Sequence, residues 1–265
     1  MTFGNATAGR KIAAILALVA VAAPVAAFGA TGGNKSSSGE RGSPASTPPP
    51  LPQKSERVVL NPADFTTKID NPYWPMKPGS RWVYRETDAQ GTKQRVVVTV
   101  THKTKRIANG VTARVVHDVV TQNGKPVEDT YDWYAQDSAG NVWYLGEATK
   151  EYENGKVSTT KGSWEAGVDG AQPGIIMPAK PKAGLSYRQE YYRGQAEDKA
   201  RIVRTREQAE VPAGHYPRVV MTRDVNPLSP KILEFKFYAR DVGPVLALSA
   251  SGGSDREELI SYRPA

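Results

Sequence analysis

The chain has 265 residues, 39% hydrophobic and 23% charged, so it can bury a core and is too apolar to be disordered throughout. It has no cysteine, which removes disulfides, thiol catalysis, thiolate zinc sites and lipid attachment at an N-terminal cysteine. The formal net charge of +8 is partly terminal: setting aside Arg10, Lys11 and the four basic and two acidic residues between Thr31 and Arg57 leaves 29 basic against 25 acidic residues of interspersed sign, which argues against a nucleic-acid track.

From Ile12 to Ala30 the chain carries no charge, follows Arg10 and Lys11, and ends in small residues after Pro24. Residues 1–30 thus have the layout of a secretory signal peptide, with cleavage expected after Ala27 or Gly29. An uncleaved anchor is the alternative, opposed by the many alanines and by Pro24 within the segment. Residues 31–57, with Ser36 to Ser38, four glycines and the run Pro48 to Pro50, read as a disordered linker.

Residues 58–265 read as one all-β domain. Val96, Val98, Val100 and His102 alternate with Arg95, Val97, Thr99 and Thr101, and the run from Val111 to Val120 repeats the pattern. Asn109-Gly110, Asn123-Gly124 and Asn154-Gly155 supply the positive φ angles of tight hairpins. Further strands are expected at 185–192, 200–207, 218–223, 232–239, 245–250 and 257–262. The expectation is an antiparallel meander of roughly ten to twelve strands, forming a half-barrel, a barrel or a two-layer sandwich. From Trp164 to Gly184 the chain is rich in Gly and Pro, and a long loop is expected there, with Ile175, Ile176 and Met177 plugging an open end of the sheet.

Catalytic motifs are absent: Gly162-Ser163 runs into Trp164-Glu165 instead of completing a nucleophile elbow, and no glycine-rich phosphate loop opens a helix. His102 and His117 lie on neighbouring strands, where a two-His metal site is conceivable but no close-spaced ligand motif supports it; His215 sits in a turn. Carboxylate pairs such as Glu128 with Asp132, or Glu147 with Glu151, are expected to be solvated or salt-bridged. Of the aromatic cluster, Tyr131, Trp133, Trp143, Tyr144 and Trp164 are the candidate ligand-binding residues, and packing within a core is the competing role.

The segments Asn71-Pro-Tyr-Trp-Pro-Met-Lys-Pro-Gly79, Asp129-Thr-Tyr-Asp-Trp-Tyr-Ala135, Gly162-Ser-Trp-Glu-Ala-Gly-Val168 and Pro173-Gly-Ile-Ile-Met-Pro178 resemble a family of exported bacterial β-rich proteins of unknown function. Val211-Pro-Ala-Gly214 and Phe237-Tyr-Ala-Arg-Asp-Val-Gly-Pro-Val245 resemble a wider set of extracytoplasmic β-sheet proteins, some lipoprotein-like. The resemblance spans roughly residues 65–250 and implies fold and compartment but no activity.

These observations lead to an exported or envelope-associated, non-enzymatic protein binding an apolar or amphiphilic ligand or an envelope partner, with no cofactor, no metal and no nucleic acid. Membrane attachment is expected only if the N-terminal segment is uncleaved. One alternative is an envelope carbohydrate-binding module or carbohydrate hydrolase built on the aromatic cluster and nearby acids. The other is a structural domain with a solid core that binds protein partners.

Overall fold

The computed structural model describes residues 51–265; the segment read as a signal peptide or anchor, and the linker as far as residue 50, lie outside the described residues. After a short 3-10 turn at Pro62–Asp64, whose first turn the Asn61 side chain caps, the chain runs through sixteen strands. They are β1 (Phe65–Thr66), β2 (Arg81–Thr87), β3 (Lys93–Arg106), β4 (Thr112–Gln122), β5 (Lys125–Asp137), β6 (Val142–Glu153), β7 (Lys156–Thr159), β8 (Trp164–Glu165), β9 (Gln172–Met177) and β10 (Ser186–Arg188). The last six are β11 (Glu190–Tyr191), β12 (Lys199–Val211), β13 (Gly214–Val225), β14 (Leu233–Ala239), β15 (Gly243–Ser251) and β16 (Arg256–Arg263).

Every pairing is antiparallel, and the meander expected from the alternation is present as two runs, β2 to β6 and β12 to β16, joined edge to edge by β2 and β16. At Asn123-Gly124 and Asn154-Gly155 both residues have positive φ, so each closes a two-residue hairpin whose twist matches its strands. Asn109-Gly110 makes a wider turn instead: only Gly110 has positive φ, and the Ile107 amide donates to the Val111 carbonyl at 2.8 Å.

The sheet curls into a nearly closed barrel, its ring completed by one shared segment. The ends of the thirteen-strand path, β10 and β11, are consecutive in the chain with only Gln189 between them. One segment therefore pairs with β12 on one side and with β9 on the other. Gly174 makes this seam possible, because a Cβ there would lie 2.3 Å from the Gln189 carbonyl.

Arg188, fully buried, clasps the seam: Nη2 donates to the Pro173 carbonyl at 2.7 Å, and Nη1 to the carbonyls of Lys54 and, at 3.0 Å, Glu56. Its amide donates to the Pro52 carbonyl at 2.6 Å. Residues 52–56, the end of the stretch read as linker, thus lie along the seam as a strap.

The expected loop from Trp164 to Gly184 is corrected here, for β8 and β9 are wall strands paired with β6. Ile175, Ile176 and Met177 are all buried within β9, as in a strand covered on both faces. The end plug is Trp74. It is 1% exposed and meets Tyr134 of β5 and Tyr238 of β14 at ring-centroid distances of 5.9 and 5.8 Å. Those strands stand six places apart in the thirteen-strand ring, so the indole spans the lumen between opposite walls.

Candidate functional site

The barrel wall divides the five candidate aromatics. Tyr131, 37% exposed, lies outside and stacks on His117 at 4.3 Å. Trp133 shares that outer face but lies beneath the Lys105 ammonium, 4.2 Å from its ring. Trp143 packs edge-on against Phe65 and donates from Nε1 to Asp137 at 2.8 Å. Tyr144 and Trp164 point inward and meet edge to face at 5.3 Å. The five therefore do not form one platform.

The histidines are also apart. His117 pairs with Thr99, three residues from exposed His102, which falls in the irregularity between Val100 and Thr104. Among the described residues no group of three or more His, Asp or Glu is arranged to hold a metal ion.

The lumen holds an unexpected cluster. In β5, Glu128, Thr130, Asp132 and Tyr134 face inward, opposite Glu151, Thr149, Glu147 and Tyr144 of β6. Asp118 of β4 stands beside Thr130, and Glu86 of β2 beside Glu257 of β16. On the far wall, Asp224 and Glu234 pair across β13 and β14, next to Thr222 and Lys236. Asp118, Asp132, Glu147, Glu190, Asp198 and Lys236 are each at most 1% exposed, so the lumen is packed rather than hollow around them. This corrects the expectation that Glu128, Asp132 and Glu147 are solvated, and Asp132 and Glu147 form no salt bridge among the described residues.

A carboxylate taken out of water without a cation binds a proton instead. Burial first, and Asp132 next, push Asp118 well above the ordinary carboxylate range, and neither of its oxygens has a hydrogen-bond partner. Burial and Asp132 do the same to Glu147, whose oxygens are also without partners. Burial raises Asp132 to about 8, although the Tyr144 hydroxyl, donating at 2.8 Å, favours its charged form. Glu190 and Asp198 face each other as a second pair; burial raises both, Asp198 to about 7. Lys236 sits 3.5 Å from Asp224 and 3.9 Å from Glu234. Burial lowers its pKa, but Asp224, Glu234, Asp198 and Glu257 outweigh burial and hold the ammonium charged. Away from Lys236, burial holds Asp118, Asp132, Glu147 and Glu190 towards the neutral acid.

The consequence for the outside is large. Residues 51–265 contain 31 basic and 26 acidic side chains; 3 basic and 11 acidic ones are buried, which leaves 28 basic against 15 acidic on the surface. The near-balance counted along the sequence does not describe the face the protein presents, because it counts the lumen acids as if they were solvated.

A cleft of ≈ 400 Å³ opens on that surface between Val83 and Arg85 of β2, Lys93 and Arg95 of β3, Thr121 of β4, Asn123 and Gly124 of the following turn, and Ile260 of β16. Sequence reasoning missed both features. The available signal was Asp118 and Asp132 in the same phase as Val116, Val120 and Tyr134: acids where alternation places core.

No known protein family matches the chain, and no curated protein matches it. Among solved structures, a candidate exported protein with a YmcC-like fold from Bacteroides fragilis is similar at 14% identity, covering 72% of this chain and 99% of its own, with a TM-score of 0.44. A candidate lipoprotein from Parabacteroides distasonis is similar at 14% identity over 72% of this chain and 98% of its own, TM-score 0.40. A β-barrel-like protein of a domain of unknown function from Brucella abortus is similar at 12% identity over 69% and 96%, TM-score 0.33.

Proposed function

We propose that this chain is an exported, envelope-associated binding protein without catalytic activity, and that its ligand is an amphiphile with an anionic head group. The observation that carries the reading is the segregation of charge, acids inside and bases outside. A packed, carboxyl-lined lumen offers an apolar molecule no seat, so the ligand is met at the outer surface. The signal-like layout of residues 1–30 supports an extracytoplasmic location. A surface with this cation excess attracts anionic assemblies, and the attraction weakens as salt screens it.

Co-sedimentation of the purified protein with phosphatidylglycerol and phosphatidylcholine vesicles tests the reading. Retention on the anionic vesicles alone, falling severalfold between about 50 and 200 mM salt, is expected. Equal retention on both vesicle types overturns it, as does tighter binding to duplex DNA than to anionic vesicles at the same salt.

A further inference from the structure

The outer cleft brings a row of cations and an apolar strip together. Arg85 and Arg95 stand directly opposite each other on β2 and β3, a like-charge cross-strand pair that costs stability unless an anion relieves it. Glu258 relieves it only in part. Its carboxylate meets Arg85 at 2.9 Å and is shared with Arg256 at 2.8 Å, and Arg256 and Lys93 flank Thr87 on either side. Two of these four cations therefore share one carboxylate, and Lys93 and Arg95 have no ion pair among the described residues.

Beside the cations lies an apolar strip. The register of β16 against β2 passes from Leu259 opposite Tyr84 to Ser261 opposite Val83, so Ile260 is an inserted residue. Such a bulge re-aims its side chain, and Ile260 stands 36% exposed in the cleft wall. Val83 continues in register into half-buried Val97 and Val119, one step along the strands from the Arg85 and Arg95 row. The cleft volume falls in the range of sites that hold small ligands.

We infer that this cleft seats a single anionic amphiphile, its acid head on Arg85, Lys93 and Arg95 and its apolar chain over Val83 and Ile260. The inference rests on the anionic-amphiphile reading above and assigns that ligand its place. The head supplies the counter-charge that the Arg85 and Arg95 pair lacks, and the chain covers the isoleucine that the bulge leaves in water.

Titration calorimetry of the whole protein with dodecyl phosphate below its micellar concentration tests the assignment, with dodecyl maltoside and inorganic phosphate as the tail-only and head-only probes. One molecule of dodecyl phosphate per chain is expected, bound at least about tenfold more tightly than either partial probe. Arg95→Gln and Ile260→Asn should each weaken it about tenfold while keeping the wild-type melting temperature, and Lys161→Gln, outside the cleft, should leave it unchanged. Equal binding of dodecyl maltoside overturns the role of the cations, and equal binding of inorganic phosphate overturns the apolar seat. Unchanged affinity in both cleft variants overturns the location while leaving the ligand class intact. Adsorption to phosphatidylglycerol vesicles without dodecyl phosphate binding likewise overturns only the cleft, whereas loss of both in the wild-type protein sinks the broader reading too.

Discussion

Raising the pH from about 5.5 to about 7.5 should lower the melting temperature of this protein, the reverse of ordinary acid denaturation. The lumen carboxyls have folded-state pKa values above their unfolded ones, so across this window the folded chain binds more protons than the unfolded chain. Each such proton makes stability fall by roughly 1.4 kcal/mol per pH unit as the pH rises. The contribution is present in full below the unfolded value near 3.8 and is lost as the pH passes through about 7 for Asp198 and about 8 for Asp132. Glu147 and Glu190 lie against these two and share their titration, so each pair contributes one proton across the window. Two protons amount to roughly 3 kcal/mol per pH unit; for a domain of this size, at about 2–4 °C per kcal/mol, the melting temperature should fall by on the order of 10 °C over the window. Calorimetric or circular-dichroism melts at fixed ionic strength measure this directly. Asp132→Asn keeps an acceptor for the Tyr144 hydroxyl but cannot ionise, so it should flatten the slope by roughly 1.4 kcal/mol per pH unit. A wild-type melting temperature that is flat or rises towards pH 7.5 would refute the protonated lumen, and an unchanged slope in Asp132→Asn would refute its assignment to that carboxyl.

Three structural predictions accompany it. Arg188→Met removes the clasp on the carbonyls of Lys54, Glu56 and Pro173, and should cost about 3 kcal/mol or more in urea denaturation, with the strap at residues 52–56 becoming sensitive to protease. Trp74→Ala opens a cavity between Tyr134 and Tyr238 and should cost about 3–5 kcal/mol; a loss under about 1 kcal/mol would mean the indole does not plug the barrel. Gly174→Ala drives a methyl group into the Gln189 carbonyl and should cost about 1–3 kcal/mol, with faster amide exchange confined first to β9 and β11.

Strand identity was legible from local sequence. The valine alternation around Val96 to Val100 is β3, and Asn123-Gly124 and Asn154-Gly155 close the hairpins they announce, because a strand's two faces and a turn's φ angles are set within a few residues. The stretch around Ile175 was not legible, since a short apolar run bounded by Gly and Pro reads equally as plug or wall until its neighbours are known. The division of the candidate aromatics was not legible for a related reason: Tyr131 and Tyr144 lie on adjacent strands but on opposite sides of the wall.

By itself the sequence determined an antiparallel, cysteine-free β domain behind an export-like N-terminus, because composition, alternation and turn chemistry are local properties. Only the tertiary structure decided that β10 and β11 close the ring, that Trp74 plugs it, and that eleven acidic but only three basic side chains among residues 51–265 are withdrawn from water. The physical reason is that closure defines an inside. Alternation marks two faces, but only the closed ring shows which carboxyls lose their water and hold protons instead, and hence which charges remain on the surface.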